Sequence, residues 1–97
     1  NDGTMQFAGA ANGVVFSSGI VEYDGTVAQA IASGTYFDIV FSNTGVKNIS
    51  GTVTATGNVT MNSGTTVVII NGVTLQVDGN FSNDGSLTNN GIITLGP

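Results

Sequence analysis

Residues able to do chemistry are few in this chain. It has no cysteine and no histidine, and Lys47 is its single basic residue. The nucleophile–base pairs of hydrolases therefore cannot be assembled from it. Glu22 and Asp24 lie two positions apart, so on a strand they share a face, and paired carboxylates suit glycoside hydrolysis. Tyr23 should point to the opposite face, away from any sugar held there, so we interpret the pair as solvated acids and predict no enzyme.

Metal binding has one candidate segment, because Asp78, Asn80, Asn83 and Asp84 offer oxygen atoms within a short stretch. Calcium needs several oxygens on a tight loop. The glycine–aspartate nonapeptide of calcium-binding β-rolls is absent, so we favour ordinary corner residues and predict no cofactor, with calcium as the weaker alternative. Lys47 is interpreted as a surface charge paired with an acid.

Charge limits the classes of partner. The net charge of −5 argues against nucleic acid, whose phosphates require Lys and Arg, and against an anionic membrane surface. The longest apolar run, residues 67–70, is far too short to insert in a bilayer. The chain opens on Asn1 with no leader ahead of it, and we favour a removed secretory leader over an excised fragment. The expected location is extracellular, at the cell surface.

Glycine recurs every six residues in three trios, at 13, 19 and 25, at 45, 51 and 57, and at 79, 85 and 91. Two residues after most of these glycines is an apolar side chain, as with Phe81, Leu87 and Ile93 in the last trio. Val15, Val21, Val27, Val53 and Val59 fill the same slot in the others, while Lys47 interrupts it and Ile49 is expected to point inward instead. Glycine tolerates positive φ, so the backbone can turn at each of these positions. Because the apolar side chains then all point the same way, the pattern predicts that the chain winds into a coil.

The sequence therefore predicts an all-β fold, a β-solenoid with short strands and Gly/Asn corners. It would form a single domain, residues 1–97, with repeat blocks of about 13–44, 45–78 and 79–97. Residues 1–12 would form an N-terminal strand available to pair with a neighbouring subunit. The rival fold is an antiparallel β-sandwich of pilin-like type, because Asn-Gly at 12–13, 71–72 and 90–91 is typical of hairpin turns. Six-residue spacing leaves strands too short for a good sandwich.

Two runs carry the strongest strand signal, residues 36–41 and 66–70. In the first, Phe37, Ile39 and Phe41 are expected to point inward. In the second, Val67 and Ile69 are inward by the same alternation, which puts Val68 and Ile70 on the opposite face. That pair is either an exposed contact surface or part of a strand buried on both faces.

Residues 51–95 read GTVTATGNVTMNSGTTVVIINGVTLQVDGNFSNDGSLTNNGIITL. This segment resembles the Gly/Asn/Thr-rich β-solenoid repeats of bacterial cell-surface and secreted adhesins. The resemblance implies a stalk or scaffold rather than a catalyst. The chain departs from those adhesins in being a short unit instead of a long array.

The ends of such a coil would expose strand edges, which soluble proteins guard with Lys, Pro or a cap. Here one Lys and the terminal Pro97 are all that the sequence offers. The strand-like segments at the two ends form the predicted self-assembly interface: Thr4, Met5, Gln6, Phe7, Ala8, Ile92, Ile93, Thr94 and Leu95. Two complementary edges predict head-to-tail, non-closing stacking, or a donor strand from residues 4–11.

The sequence thus predicts a structural subunit of an extracellular filament or matrix, with itself as the main partner. The alternative is a carbohydrate- or surface-binding adhesin module, with Tyr23 and Tyr36 as the aromatic candidates for glycan contact.

Overall fold

The computed structural model describes residues 4–7 and 16–96 of the chain, which are built from strands and turns with no helix. It follows that no membrane-spanning helix occurs over these residues. The twelve strands are β1 Thr4–Phe7, β2 Phe16–Tyr23, β3 Gln29–Ile31, β4 Gly34–Phe41, β5 Lys47–Ile49, β6 Val53–Ala55, β7 Val59–Met61, β8 Thr66–Ile69, β9 Thr74–Val77, β10 Phe81–Asn83, β11 Ser86–Asn89 and β12 Ile92–Leu95.

The strands stack in three parallel ladders around one core. The first ladder holds the starts of β2 and β4, then β6, β9 and β12. The second holds β1, the ends of β2 and β4, then β7 and β10. The third holds β3, β5, β8 and β11. Every pairing in the described residues is parallel, which confirms the predicted β-solenoid and excludes the antiparallel sandwich.

One coil visits the three ladders in turn and takes about twenty residues. In the second ladder Ile39 pairs with Val59 and Val59 with Phe81, steps of 20 and 22 positions. In the first ladder Leu75 pairs with Ile93, a step of 18 positions. The repeating unit of the structure is therefore the coil, and the boundary of the predicted blocks at residues 44 and 45 falls inside one coil, between β4 and β5.

Alternate side chains of each strand point into the core, as the two-residue period requires. The buried apolar set is Val21, Tyr23, Ile31, Ala32, Tyr36, Ile39, Phe41, Ile49, Val53, Ala55, Val59, Met61, Val67, Ile69, Leu75 and Val77. On the outer face of β8 and just after it, Val68 is half-buried and Ile70 is 41% exposed.

Two apolar residues predicted to point inward do not. Phe37 is 43% exposed because β4 crosses a corner between Tyr36 and Ile39, so that both of these point inward and the intervening residues face out. Val27 is 69% exposed in the turn before β3. Val15 lies outside the described residues.

Most of the regularly spaced glycines allow close stacking rather than a left-handed turn. Positive φ among described residues belongs to Gly19, Gly34, Gly64, Gly72, Gly96 and Asn43, and of the six-residue trios only Gly19 is in this group. The N–H of Gly79 donates to the carbonyl of Gly57 one coil below at 2.8 Å, and a Cβ on Gly79 would collide with that oxygen. The expected reason for glycine at these positions was therefore wrong, since the corner needs room for the coil below.

Candidate functional site: the two ends of the stack

The predicted self-assembly segments lie at opposite ends of the stack. Thr4–Phe7 form β1, which pairs with β2 of the same chain, while Ala8 is outside the described residues. Ile92–Leu95 form β12, which pairs with β9. β1 is the first strand of the second ladder and β12 is the last strand of the first ladder. Among the described strands, both segments thus lie on edges, but on different sides of the coil.

The C-terminal end of the stack presents three strands, β10, β11 and β12, each paired on one side only within the described residues. In β10 the carbonyl of Asn80 accepts from the N–H of Val59 and the N–H of Asp84 donates to the carbonyl of Met61, both at 2.9 Å. Successive peptide groups of a strand alternate in direction. The N–H groups of Phe81 and Asn83 therefore point away from β7, toward the open end.

The same alternation holds in the other two strands. Ser86 and Asn90 donate toward β8, and Ile92 and Gly96 donate toward β9. The amides directed at the open end in the three strands are accordingly those of Phe81, Asn83, Leu87, Asn89, Ile93 and Leu95.

Core side chains are also uncovered at this end. Phe81, Leu87 and Ile93 pair with buried residues of the preceding coil, yet they are only half-buried. Leu95 pairs with the fully buried Val77 and is 61% exposed. None of the strands β10, β11 and β12 carries a charged residue. The end therefore combines unpaired backbone groups with apolar surface and no strand charge to desolvate.

A column of amide and carboxylate side chains runs along one corner. The Asp38 carboxylate accepts the backbone N–H of Asn58 at 2.7 Å, and the Asn58 side-chain oxygen accepts the N–H of Asn80 at 2.9 Å. Each side chain thus caps the amide of the next coil. Asn80 is the last member of this column, at the open end.

Of the carboxylates singled out from the sequence, Glu22 lies on β2 and Asp24 directly follows it; both residues are half-buried, and Tyr23 between them is buried. Glu22 accepts a hydrogen bond from the hydroxyl of Ser42 at 2.6 Å. The main-chain carbonyl of Asp24 accepts from the side chain of Asn43 at 2.7 Å. These bonds tie neighbouring coils together, which is a structural use of both positions.

The two tyrosines, the candidates for glycan contact under the adhesin alternative, are fully buried and cannot reach a glycan at the surface. Their hydroxyls lie 2.6 Å apart, Tyr36 donates to the carbonyl of Ala32 at 2.6 Å, and the N–H of Ala32 reaches the Tyr23 hydroxyl at 3.4 Å. Because Tyr36 gives its single proton to Ala32, Tyr23 donates to Tyr36, and the three groups close a cycle. Burial raises the pKa of both tyrosines.

Lys47 is not the predicted surface charge, because it is fully buried and points inward beside Ile49. Its ammonium donates to the carbonyls of Gly25 at 2.9 Å and Gly45 at 2.8 Å. Burial lowers the pKa of Lys47, and the nearby Asp24 opposes that shift. The signal that could have found it is its position two residues after a regularly spaced glycine, the inward slot.

The calcium candidates line the corners around β10. Asp78 accepts from the side chain of Gln76 at 2.8 Å, and Asn83 accepts from the N–H of Gly85 at 2.9 Å. Over the residues that the structure describes, no three Asp or Glu side chains come together. Two of the four side chains are thus already bonded within the chain, and calcium stays the weaker alternative to the prediction of no cofactor.

Comparison with models of protein families finds no match to this chain, and searches of curated proteins and of solved structures also find none.

Proposed function

We propose that the chain is a structural subunit of an extracellular filament or matrix that polymerises head to tail. The observation that carries this proposal is the C-terminal end of the stack, where six amides and four core side chains face outward. Each backbone hydrogen bond formed there is worth about 1 kcal/mol net, and buried apolar surface adds roughly 25 cal/mol per Å². Secretion is expected from the resemblance of residues 51–95 to adhesin repeats.

Proline at an open-edge amide tests the proposal. In Asn83→Pro the missing N–H and the ring obstruct a docking strand, while the ladder to β7 keeps its bonds because Asn80 and Asp84 supply them. We expect the native chain to form polymers in electron micrographs and by sedimentation. The variant should stay monomeric with a circular dichroism spectrum like that of the native monomer.

Two variants control for this change. Asn71→Pro makes the same replacement in a turn, where the N–H of Val73 donates to the carbonyl of Ile70. Asn71 is the second residue of this turn, a position where proline is favoured, so the variant should assemble normally. Asn83→Ala loses the side-chain bond to Gly85 but keeps the edge amide, so it should also assemble. A native chain that remains monomeric at high concentration, or an Asn83→Pro protein that still polymerises, would contradict the proposal.

The adhesin alternative has lost its aromatic candidates, because Tyr23 and Tyr36 are inaccessible. No other feature of the described residues favours a glycan site, and we do not propose one.

A further inference from the structure

We propose that successive copies stack in one register, with Met5 of one copy opposite Phe81 of another, Gln6 opposite Ser82 and Phe7 opposite Asn83. The inference rests on the proposed function and specifies its interface. It makes the predicted interface specific, because β1 and β12 lie on different ladders and do not meet each other. β1 of one copy docks on β10, and the start of β2 docks on β12.

The order of the ladders carries this inference. Along the chain the strands follow the sequence first, second and third ladder, and β12 lies on the first. The next strand in the winding would lie on the second ladder, on top of β10. β1 occupies that ladder in its own chain, since it pairs with the end of β2. A second copy placed end to end therefore continues the winding without a shift in phase.

The register follows from the pairings within the chain. Met5 pairs with Val21, Val21 with Ile39, Ile39 with Val59, and Val59 with Phe81. Adding one more rung to this column places Met5 of the second copy over Phe81. In the first ladder the column through Tyr36, Ala55, Val77 and Leu95 begins at Phe16, so Phe16 of the second copy lies over Leu95.

Two features of the column next to that of Val59 and Phe81 fit β1 of a second copy stacked on β10. Thr4 stands in the column of Asp38, Asn58 and Asn80, so its N–H would meet the side-chain oxygen of Asn80, as the N–H of Asn80 meets that of Asn58. In the two coils before the open end the residue just before this position is Gly57 or Gly79, where a Cβ would collide with an oxygen of the coil below, whereas the earlier strand β4 has Phe37 there. The residue before Thr4 in the sequence is Gly3.

The chain has no cysteine, so paired cysteines report the register directly. Gln6→Cys with Ser82→Cys places the two Cα atoms at one strand spacing, about 4.8 Å, across the junction. This distance suits a disulfide, whereas Gln6→Cys with Asp84→Cys places them about 8 Å apart, which is too far. Within one chain the two sites are four spacings apart, about 19 Å, so any bond formed is between copies.

After mild oxidation, the Gln6→Cys, Ser82→Cys protein should give a ladder of covalent multimers in a denaturing gel, removed by reductant. The offset pair should give at least tenfold less. The second ladder holds five strands per chain, so the axial rise per subunit in electron micrographs should be about 24 Å. Filaments in which the offset pair bonds better, or whose rise differs by a strand spacing, overturn the register and leave the proposed function standing. Absence of any polymer overturns both.

Discussion

At the scale of single residues, the core of the first coils contains polar groups that are satisfied by backbone carbonyls. Lys47 and the tyrosine pair each reach carbonyl groups brought alongside by the winding of the chain. No buried side-chain nitrogen or oxygen lacks a partner in the part of the chain that the structure describes. An unpaired group in this position would cost about 1–3 kcal/mol, so these contacts offset the cost of burying the polar groups.

The tyrosine pair predicts a specific response to alkali. Both pKa values are raised above 10.0 in the folded state, so the unfolded chain loses its phenolic protons first. The stabilising effect is fully present below pH 10 and is lost as the pH rises further. In a pH titration, we expect tyrosinate absorbance to appear at clearly higher pH in the folded protein than in the chain unfolded by denaturant. The melting temperature of the protein should fall above pH 10. Since the chain has only two tyrosines and no tryptophan, absorbance reports this pair alone.

A variant with Tyr23→Phe and Tyr36→Phe controls for other alkaline effects. Its melting temperature should be lower at neutral pH, because the carbonyl of Ala32 loses its donor, and should fall less steeply above pH 10. Lys47 acts in the opposite direction. Because its pKa is lowered in the folded state, the unfolded chain holds the proton more tightly, and the contribution of Lys47 to the free energy of unfolding rises as the pH approaches 10.5. Tyrosines that ionise near pH 10 while the protein remains folded would contradict this account.

The same substitution to alanine at Asn58 and at Asn80 tests folding and assembly separately. Asn58→Ala removes the acceptor for the N–H of Asn80 and should lower the free energy of unfolding by about 1 kcal/mol, measured by urea denaturation of the monomer. Asn80→Ala removes an oxygen that no described residue donates to, so the monomer should keep its stability while assembly weakens. Equal losses of monomer stability in both variants would argue against a role for Asn80 between copies.

At the scale of elements, glycine has two separate uses, and substitution distinguishes them. Gly79→Ala drives a methyl group into the carbonyl of Gly57 and should destabilise by about 2–3 kcal/mol, as overpacking does. Gly72 has φ of 82° with open space around it, so Gly72→Asn should cost far less, because Asn tolerates this conformation. Thermal or urea denaturation measures both. Similar losses at the two positions would contradict the stacking role of Gly79.

The winding of the chain was predictable from short-range pattern, and its exceptions were not. Regular glycines followed by apolar residues such as Val53 and Val59 indicate a coil, but they do not give the number of strands in each coil. Phe37 was misassigned because a corner falls inside β4, where simple alternation fails. Lys47 was misassigned because its charge was taken as an interruption of the inward slot, although its position two residues after a regularly spaced glycine fitted that slot. Its carbonyl partner on Gly25, 22 positions away, could not be predicted from local pattern. The open end at β10–β12 was only partly predictable, since β12 alone was singled out there.

At the scale of the whole molecule, net charge would oppose the proposed assembly, which rests on the end strands. Each copy carries −5, and stacked copies repel one another unless salt screens them. We expect the critical concentration for polymerisation to fall severalfold between ~10 mM and ~150 mM salt, over which the screening length drops from about 30 Å to about 8 Å. Lowering the pH toward the isoelectric point of about 4.1 should act in the same direction.

Pelleting of polymer at each salt concentration measures this effect. The Asn83→Pro protein, which should not polymerise, controls for precipitation caused by salt or acid alone. Polymer that dissolves as salt is added would point instead to ion pairs between copies, which the uncharged end strands do not provide.

Coils of 18–22 residues share the same three ladders, and the differences in length are absorbed at the corners. Duplication of a stretch of about twenty residues would therefore add one layer in the same three ladders, with a single new contact where the two identical layers meet. The backbone register of the remaining coils would be unchanged.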